Sequence, residues 1–241
     1  MAAVFACVMV AILATLAQRE LPVGDMYAVR SAATLAIVMV TATWTVRAHH
    51  PFARFGAANQ ITMVRAALVA LVVGLIGEPA VATTAVAATG LAVVVEVLDG
   101  VDGWLARRSS LASAFGARFD MEVDALLIMA LAILAWLHGK AGVWVLLSGL
   151  LRYAFVVAGW LAPWVARPLP PSRRRQTICV VQIVALLAAV SPLVPAGVSV
   201  IVAAIALGVL AASFLMDIVW LWRARFARPT TARVPVFPSS S

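Results

Sequence analysis

Long apolar runs separated by short polar breaks set the rhythm of this chain. The runs cover roughly 2–18, 28–46, 60–77, 80–98, 122–138, 141–165, 177–191 and 196–222. A helix needs about 20 apolar residues to cross a hydrocarbon core of about 30 Å, and each run is close to that length. The breaks, such as "RELPVGD", "GEP", "HGKAG", "RPLPPSRRR" and "SPLVP", are rich in Pro and Gly and mark turns. Several are short enough to force antiparallel helical hairpins into one bundle. The pattern predicts an all-α integral membrane protein of about eight spans, with no repeat and no second soluble domain.

Composition agrees. Of the 241 residues 64% are hydrophobic and only 12% charged, against about 25% charged in an ordinary soluble domain. The net charge of +8 does not point to nucleic acid, because the basic residues sit in the gaps between apolar runs, where they act as topology signals. With a cytoplasmic N-terminus, fourteen arginines fall on the cytoplasmic side and only Arg19, Arg30 and Lys140 on the other, with Arg152 inside a run. Both termini are therefore expected in the cytoplasm. Heavy use of Arg, Ala and Val hints at a bacterial cytoplasmic membrane. The first run lacks a basic leading segment and reads as a retained helix rather than a signal peptide. "HHPFARFG" reads equally as a linker or a short interfacial piece, and residues 223–241 as a disordered basic cytoplasmic tail. Cys7 and Cys179 lie in separate runs without metal-ligand spacing and read as small hydrophobes.

One stretch breaks the apolar rule. Residues 96–127, "EVLDGVDGWLARRSSLASAFGARFDMEVDALL", hold six of the ten acidic residues: Glu96, Asp99, Asp102, Asp120, Glu122 and Asp124. Asp99 and Asp102 are three apart, and Asp120 and Asp124 four apart, so each pair shares a helix face. Four close carboxylates repel one another unless cations compensate them, and hard divalent ions with oxygen ligands are the natural compensation. Between the pairs, Gly103 and Ala106 leave a helix face bare, Gly116 is a second small residue, and Arg107 offers a fork for phosphate. Metals, a phosphate-binding Arg and a stripped helix face suit phosphoryl or pyrophosphate chemistry, where two metals clamp attacking and leaving oxygens.

The spacing resembles the CDP-alcohol phosphotransferase signature, DxxDGxxAR followed after eight or nine residues by GxxxDxxxD. Every specified position is met by Asp99, Asp102, Gly103, Ala106, Arg107, Gly116, Asp120 and Asp124. A looser likeness is "NQITMVR", whose Asn59, Thr62 and Arg65 match the NxxTxxR pattern opening the first core helix of many relatives and are candidate cavity or nucleotide contacts. The resemblance implies a six-helix membrane core over about 52–222, preceded by two accessory helices in 1–51 that act as scaffold, dimer accessory or partner site.

Carried over by position, Asp99, Asp102, Asp120 and Asp124 become ligands for two divalent ions, Mg2+ or Mn2+, and Asp124 also the general base. Asp99, Gly103, Ala106, Arg107 and Gly116 would hold the CDP part. The reaction implied is displacement at the phosphate of a CDP-activated donor by a hydroxyl, with CMP leaving. Homodimerisation is likewise implied by the resemblance.

Outside the signature, Glu122 points to a different face from its acidic neighbours and reads as solvent- or interface-facing, and Glu96 stands one turn before Asp99 without an assigned role. Arg152, isolated in "GLLRYAFVV", is expected to line a cavity and to meet an acceptor phosphate or the acidic cluster. Arg173, Arg174 and Arg175 suit an anionic headgroup or serve topology alone, and Asp217 is expected to pair with an arginine in the bundle. The favoured reaction moves a phosphatidyl group from CDP-diacylglycerol to a small polar alcohol in phospholipid synthesis. The alternatives are a CDP-choline or CDP-ethanolamine type of transfer to diacylglycerol, a membrane prenyltransferase, whose acidic motifs lie on distant helices, and an ion-coupled transporter. The last explains the acids but neither the bare face nor Arg107.

Overall fold

The computed structural model describes residues 2–49, 57–108, 114–170 and 172–226, and within helices leaves a few side chains aside, among them those of Asn59, Asp102, Ala106 and Arg107. The described residues form eight α-helices and no strand: α1 Ala2–Glu20, α2 Met26–His49, α3 Ala57–Gly74, α4 Ala82–Arg108, α5 Ala114–Leu137, α6 Leu147–Leu161, α7 Arg173–Val190 and α8 Ala196–Phe226. Four stretches, Ala3–Glu20, Ala82–Val101, Val143–Leu161 and Ala196–Phe226, are long and apolar enough to cross a membrane. The helices are apolar on the outside as well as the inside. Phe5, Ile12, Ile37, Ile201 and Leu215 all face outward, as the lipid-facing surface of a multi-pass protein requires.

Helix α3 sits at the centre, with α1, α2, α4 and α5 packed around it. Its segment from Ala66 to Val72 is buried throughout, and the alternation of Ala with Leu and Val there lets neighbouring backbones approach closely. Helix α7 packs on α4, α5 and α8, while α6 lies against α5 and α8. The six helices from α3 onward thus form one bundle, and the first two are built onto it. Tyr27 and Ser31 of α2 fill the space left by Gly74, where a Cβ would run into the Ser31 hydroxyl and stand 2.9 Å from the Tyr27 ring.

Four turns gather at one end. Arg30 donates to the carboxylate of Glu78 and to the carbonyl of Ile76, and the Gly24 amide donates to Glu78 at 2.7 Å. Lys140 donates to the carbonyls of Ser191 and Val194 at 3.2 and 2.6 Å. The α5 helix stops here because Gly139 takes a left-handed conformation (φ 66°), and Lys140 N–H donates back to Ala135 O at 2.9 Å. That is the glycine-dependent helix ending in which the last carbonyls are satisfied from beyond the helix.

The run expected as one span over 141–165 is a single helical stretch shorter at both ends, Val143–Leu161. It begins with a 3-10 turn, Val143–Leu146, before α6 proper, and ends at Leu161 because Ala162 adopts an extended conformation (φ −132°, ψ 96°) ahead of Pro163. A residue before proline is driven out of the helical region by the proline ring. At the other terminus, residues 223–226, expected in the tail, continue α8 instead; the rest of the expected tail and the segment 50–56 lie outside the described residues.

Candidate active site at the acidic helix pair

At the end of the bundle opposite those turns, α4 and α5 bring their carboxylates to α3. Arg65, on the central helix and fully buried, is the meeting point. Its Nη1 lies 2.8 Å from Asp99 Oδ1 and also donates to Asp120 Oδ1, and its Nη2 donates to Asp124 Oδ1 at 2.6 Å. The flat fork of a guanidinium suits this, since its terminal nitrogens can serve separate carboxylates at fixed angles. Thr62 is buried one turn earlier on the same helix. Arg65 and Thr62 were expected to face a cavity or nucleotide; for Arg65 the partners here are the motif aspartates themselves.

One oxygen from each of Asp99, Asp120 and Asp124 can be chosen so that all lie within 4.8 Å of one another. A single guanidinium cannot neutralise three carboxylates, so the cluster stays negative. An all-oxygen, half-buried donor set of this kind fits Mg2+ or Mn2+, which take carboxylate ligands and keep part of their water shell. Asp102 follows Asp99 by three residues within α4, on the same face by helical spacing. Gly103 and Gly116 are half-buried on α4 and α5, and Ala106 and Arg107 belong to the last turn of α4.

Sequence reading missed one neighbour of the cluster. Cys179, taken as a small hydrophobe, points its thiol toward Asp124 Oδ2 at 4.0 Å. Three residues further along α7 the fully buried Gln182 donates to Ser148 of α6 at 3.0 Å. The spacing of Arg175, Cys179 and Gln182 on one helix face was the available signal, visible once α7 is known to pack on α5. Glu96, one turn from Asp99, feels the charges of Asp99, Arg65 and Asp120, so it belongs to the surroundings of the cluster.

The remaining arginines go elsewhere. Arg152, expected to meet an acceptor phosphate or a carboxylate of the acidic cluster, donates to Glu122, which belongs to the same acidic stretch but not to the signature; its side chain leaves α5 away from the motif aspartates and is about half exposed. The reason is geometric: Glu122 lies two residues from both Asp120 and Asp124, on the other side of the helix. Arg174 and Arg175 both donate to Asp217 of α8, the latter at 3.4 Å, and Arg175 also to the carbonyl of Pro170. Arg173 is exposed. An open pocket of about 310 Å³ lies beside this pair, lined by Ser172, Arg174, Arg175, Met216, Asp217 and Trp220 among others.

The family model described as CDP-alcohol phosphatidyltransferase matches residues 55–220. Neither a curated protein nor a solved structure matches the chain. The matched span covers α3 to α8 except for the last residues of α8, and leaves α1 and α2 outside.

Proposed function

From the premise that the chain belongs to the CDP-alcohol phosphatidyltransferase family, we propose that it transfers a phosphatidyl group from CDP-diacylglycerol to the hydroxyl of a small polar alcohol, releasing CMP. Membership makes it a multi-pass membrane transferase of phospholipid synthesis, in a family that uses divalent metal ions. The finer reading rests on one observation: the motif aspartates of α4 and α5 converge on Arg65.

In this reading Asp99, Asp102, Asp120 and Asp124 would hold two divalent ions. Bound there, the ions would neutralise the donor's pyrophosphate and polarise the phosphorus under attack. Gly103, Ala106 and Gly116 give the nucleotide room, and Arg107 takes a phosphate oxygen. The acceptor oxygen bonds to the phosphorus that carries the diacylglycerol, the bond from that phosphorus to the bridging oxygen breaks, and CMP leaves with the electron pair. Asp124 takes the proton from the attacking hydroxyl. One of its oxygens is held by Arg65, which fixes the carboxylate, while the other faces the uncharged Cys179 side. A general base needs this combination of fixed direction and open lone pairs.

Arg152, Arg174 and Arg175, with the exposed Arg173, are the candidate contacts for the acceptor or a headgroup. Arg175 precedes Cys179 by one turn on α7 and is held by Asp217 of α8. We place the site and both termini on the cytoplasmic side, because the opposite orientation would put most of the arginines outside. A homodimer is the assembly the family reading carries.

The deciding experiment is release of CMP from CDP-diacylglycerol by the purified full chain in nanodiscs, with Mg2+ or Mn2+ and a panel of labelled alcohols. One labelled alcohol converted to a phospholipid with matching CMP is the expected result. Turnover only with a soluble CDP-alcohol and diacylglycerol would reverse the donor assignment, and no CMP from either donor with folded protein would end the transferase reading.

A further inference from the structure

We infer that Arg65 is a built-in counter-ion and positioning residue, which holds the aspartates of α4 and α5 together before any divalent ion binds. The inference rests on the two-ion reading of the same site and adds a residue that the aspartate signature does not include.

The geometry carries it. Arg65 is fully buried on the most enclosed helix, where an unpaired guanidinium would be very costly. Its terminal nitrogens serve Asp99 of α4 together with Asp120 and Asp124 of α5. In this arrangement they are committed to carboxylates, so a donor phosphate could reach them only by displacing an aspartate. This favours charge compensation over nucleotide binding. Without a cation at this point, at least three carboxylates from two helices would crowd one small volume, and they would separate or take up protons. Arg65 thus does, in the ion-free protein, part of what the ions do in the loaded one. A lysine could not replace it fully, since one compact ammonium cannot meet three carboxylates along separate directions.

Two cations that relieve the same repulsion are linked: removing one makes the fold depend more on the other. The test is the thermal unfolding midpoint of the full chain in nanodiscs, measured in EDTA and again in saturating Mg2+ or Mn2+, for wild type, Arg65→Met and Arg65→Lys. Wild type should gain modestly from the ions. Arg65→Met should unfold at lower temperature in EDTA and recover on ion addition, with a gain about twice that of wild type or more, and Arg65→Lys should fall between. Equal gains in all three proteins would mean that Arg65 merely packs the core, and would overturn the inference; so would the absence of any gain in all three. Should Arg65→Met fold in neither buffer, Arg65→Lys decides alone, and a gain equal to that of wild type overturns the proposal. CMP release is read on the same wild-type preparation, so failure of the transferase reading and failure of the Arg65 inference are separate results.

Discussion

Arg152 of α6 donates to Glu122 of α5, and so joins α6 to the helix that carries Asp120 and Asp124 without touching either of them. Both side chains keep substantial exposure, 26% for Arg152 and 52% for Glu122, so the pair adds little to stability. Glu122→Gln is expected to cost no more than about 1 kcal/mol, read as a small change in unfolding midpoint. The informative measurement is the acceptor KM. If Arg152 serves the acceptor, freeing it from Glu122 should move KM while kcat stays within about twofold, since uniform binding changes KM alone.

Asp124 is the proposed base, and Asp124→Asn keeps its shape while removing its basicity. Turnover should fall by roughly 10²–10⁴-fold, the usual contribution of general-base catalysis, with CDP-diacylglycerol binding still measurable in the same preparation. An Asn variant that turns over at the wild-type rate would take Asp124 out of the proton transfer.

Asp217 is nearly buried on α8 and accepts from Arg174 and Arg175. Asp217→Asn removes the charge that fixes both guanidinia beside the pocket they line. If these arginines bind the acceptor or its phosphate, the acceptor KM should rise about tenfold, equivalent to ~1.4 kcal/mol, with kcat little changed. A lower unfolding midpoint with an unchanged KM would assign the pair to structure alone.

Glu78 tests whether the first two helices are an added module or part of the fold. Its buried carboxylate receives Arg30 of α2 and the Gly24 amide. Glu78→Gln should lower stability by about 1.5–3 kcal/mol, the range for hydrogen bonds to charged groups. The same loss should appear whether unfolding is followed by a probe in α1 or by one in α5. A transition seen only by the α1 probe would show that the two helices detach on their own.

The sequence by itself determined the helical class, the approximate place of every helix and the identity of the acidic pairs. Apolar runs near membrane length allow little but helices, because backbone groups in lipid must be satisfied within the segment. The three- and four-residue spacing of aspartates fixes their sharing of a face through helical geometry alone. A helix end was legible where Gly acts locally, as at Gly139; the stop at Ala162 before Pro163 was not, because the apolar run continues to 165. The 3-10 turn from Val143 to Leu146 and the continuation of α8 to Phe226 lack such a marker and were not legible either. What the tertiary structure decided was partnership. Arg65 lies 55 residues from Asp120 and 59 from Asp124, Cys179 lies 55 from Asp124, and Arg152 meets Glu122 rather than the motif aspartates. Helical periodicity says which residues of one helix share a face; which faces meet follows only from packing, and in this bundle small residues and buried charges settle it together.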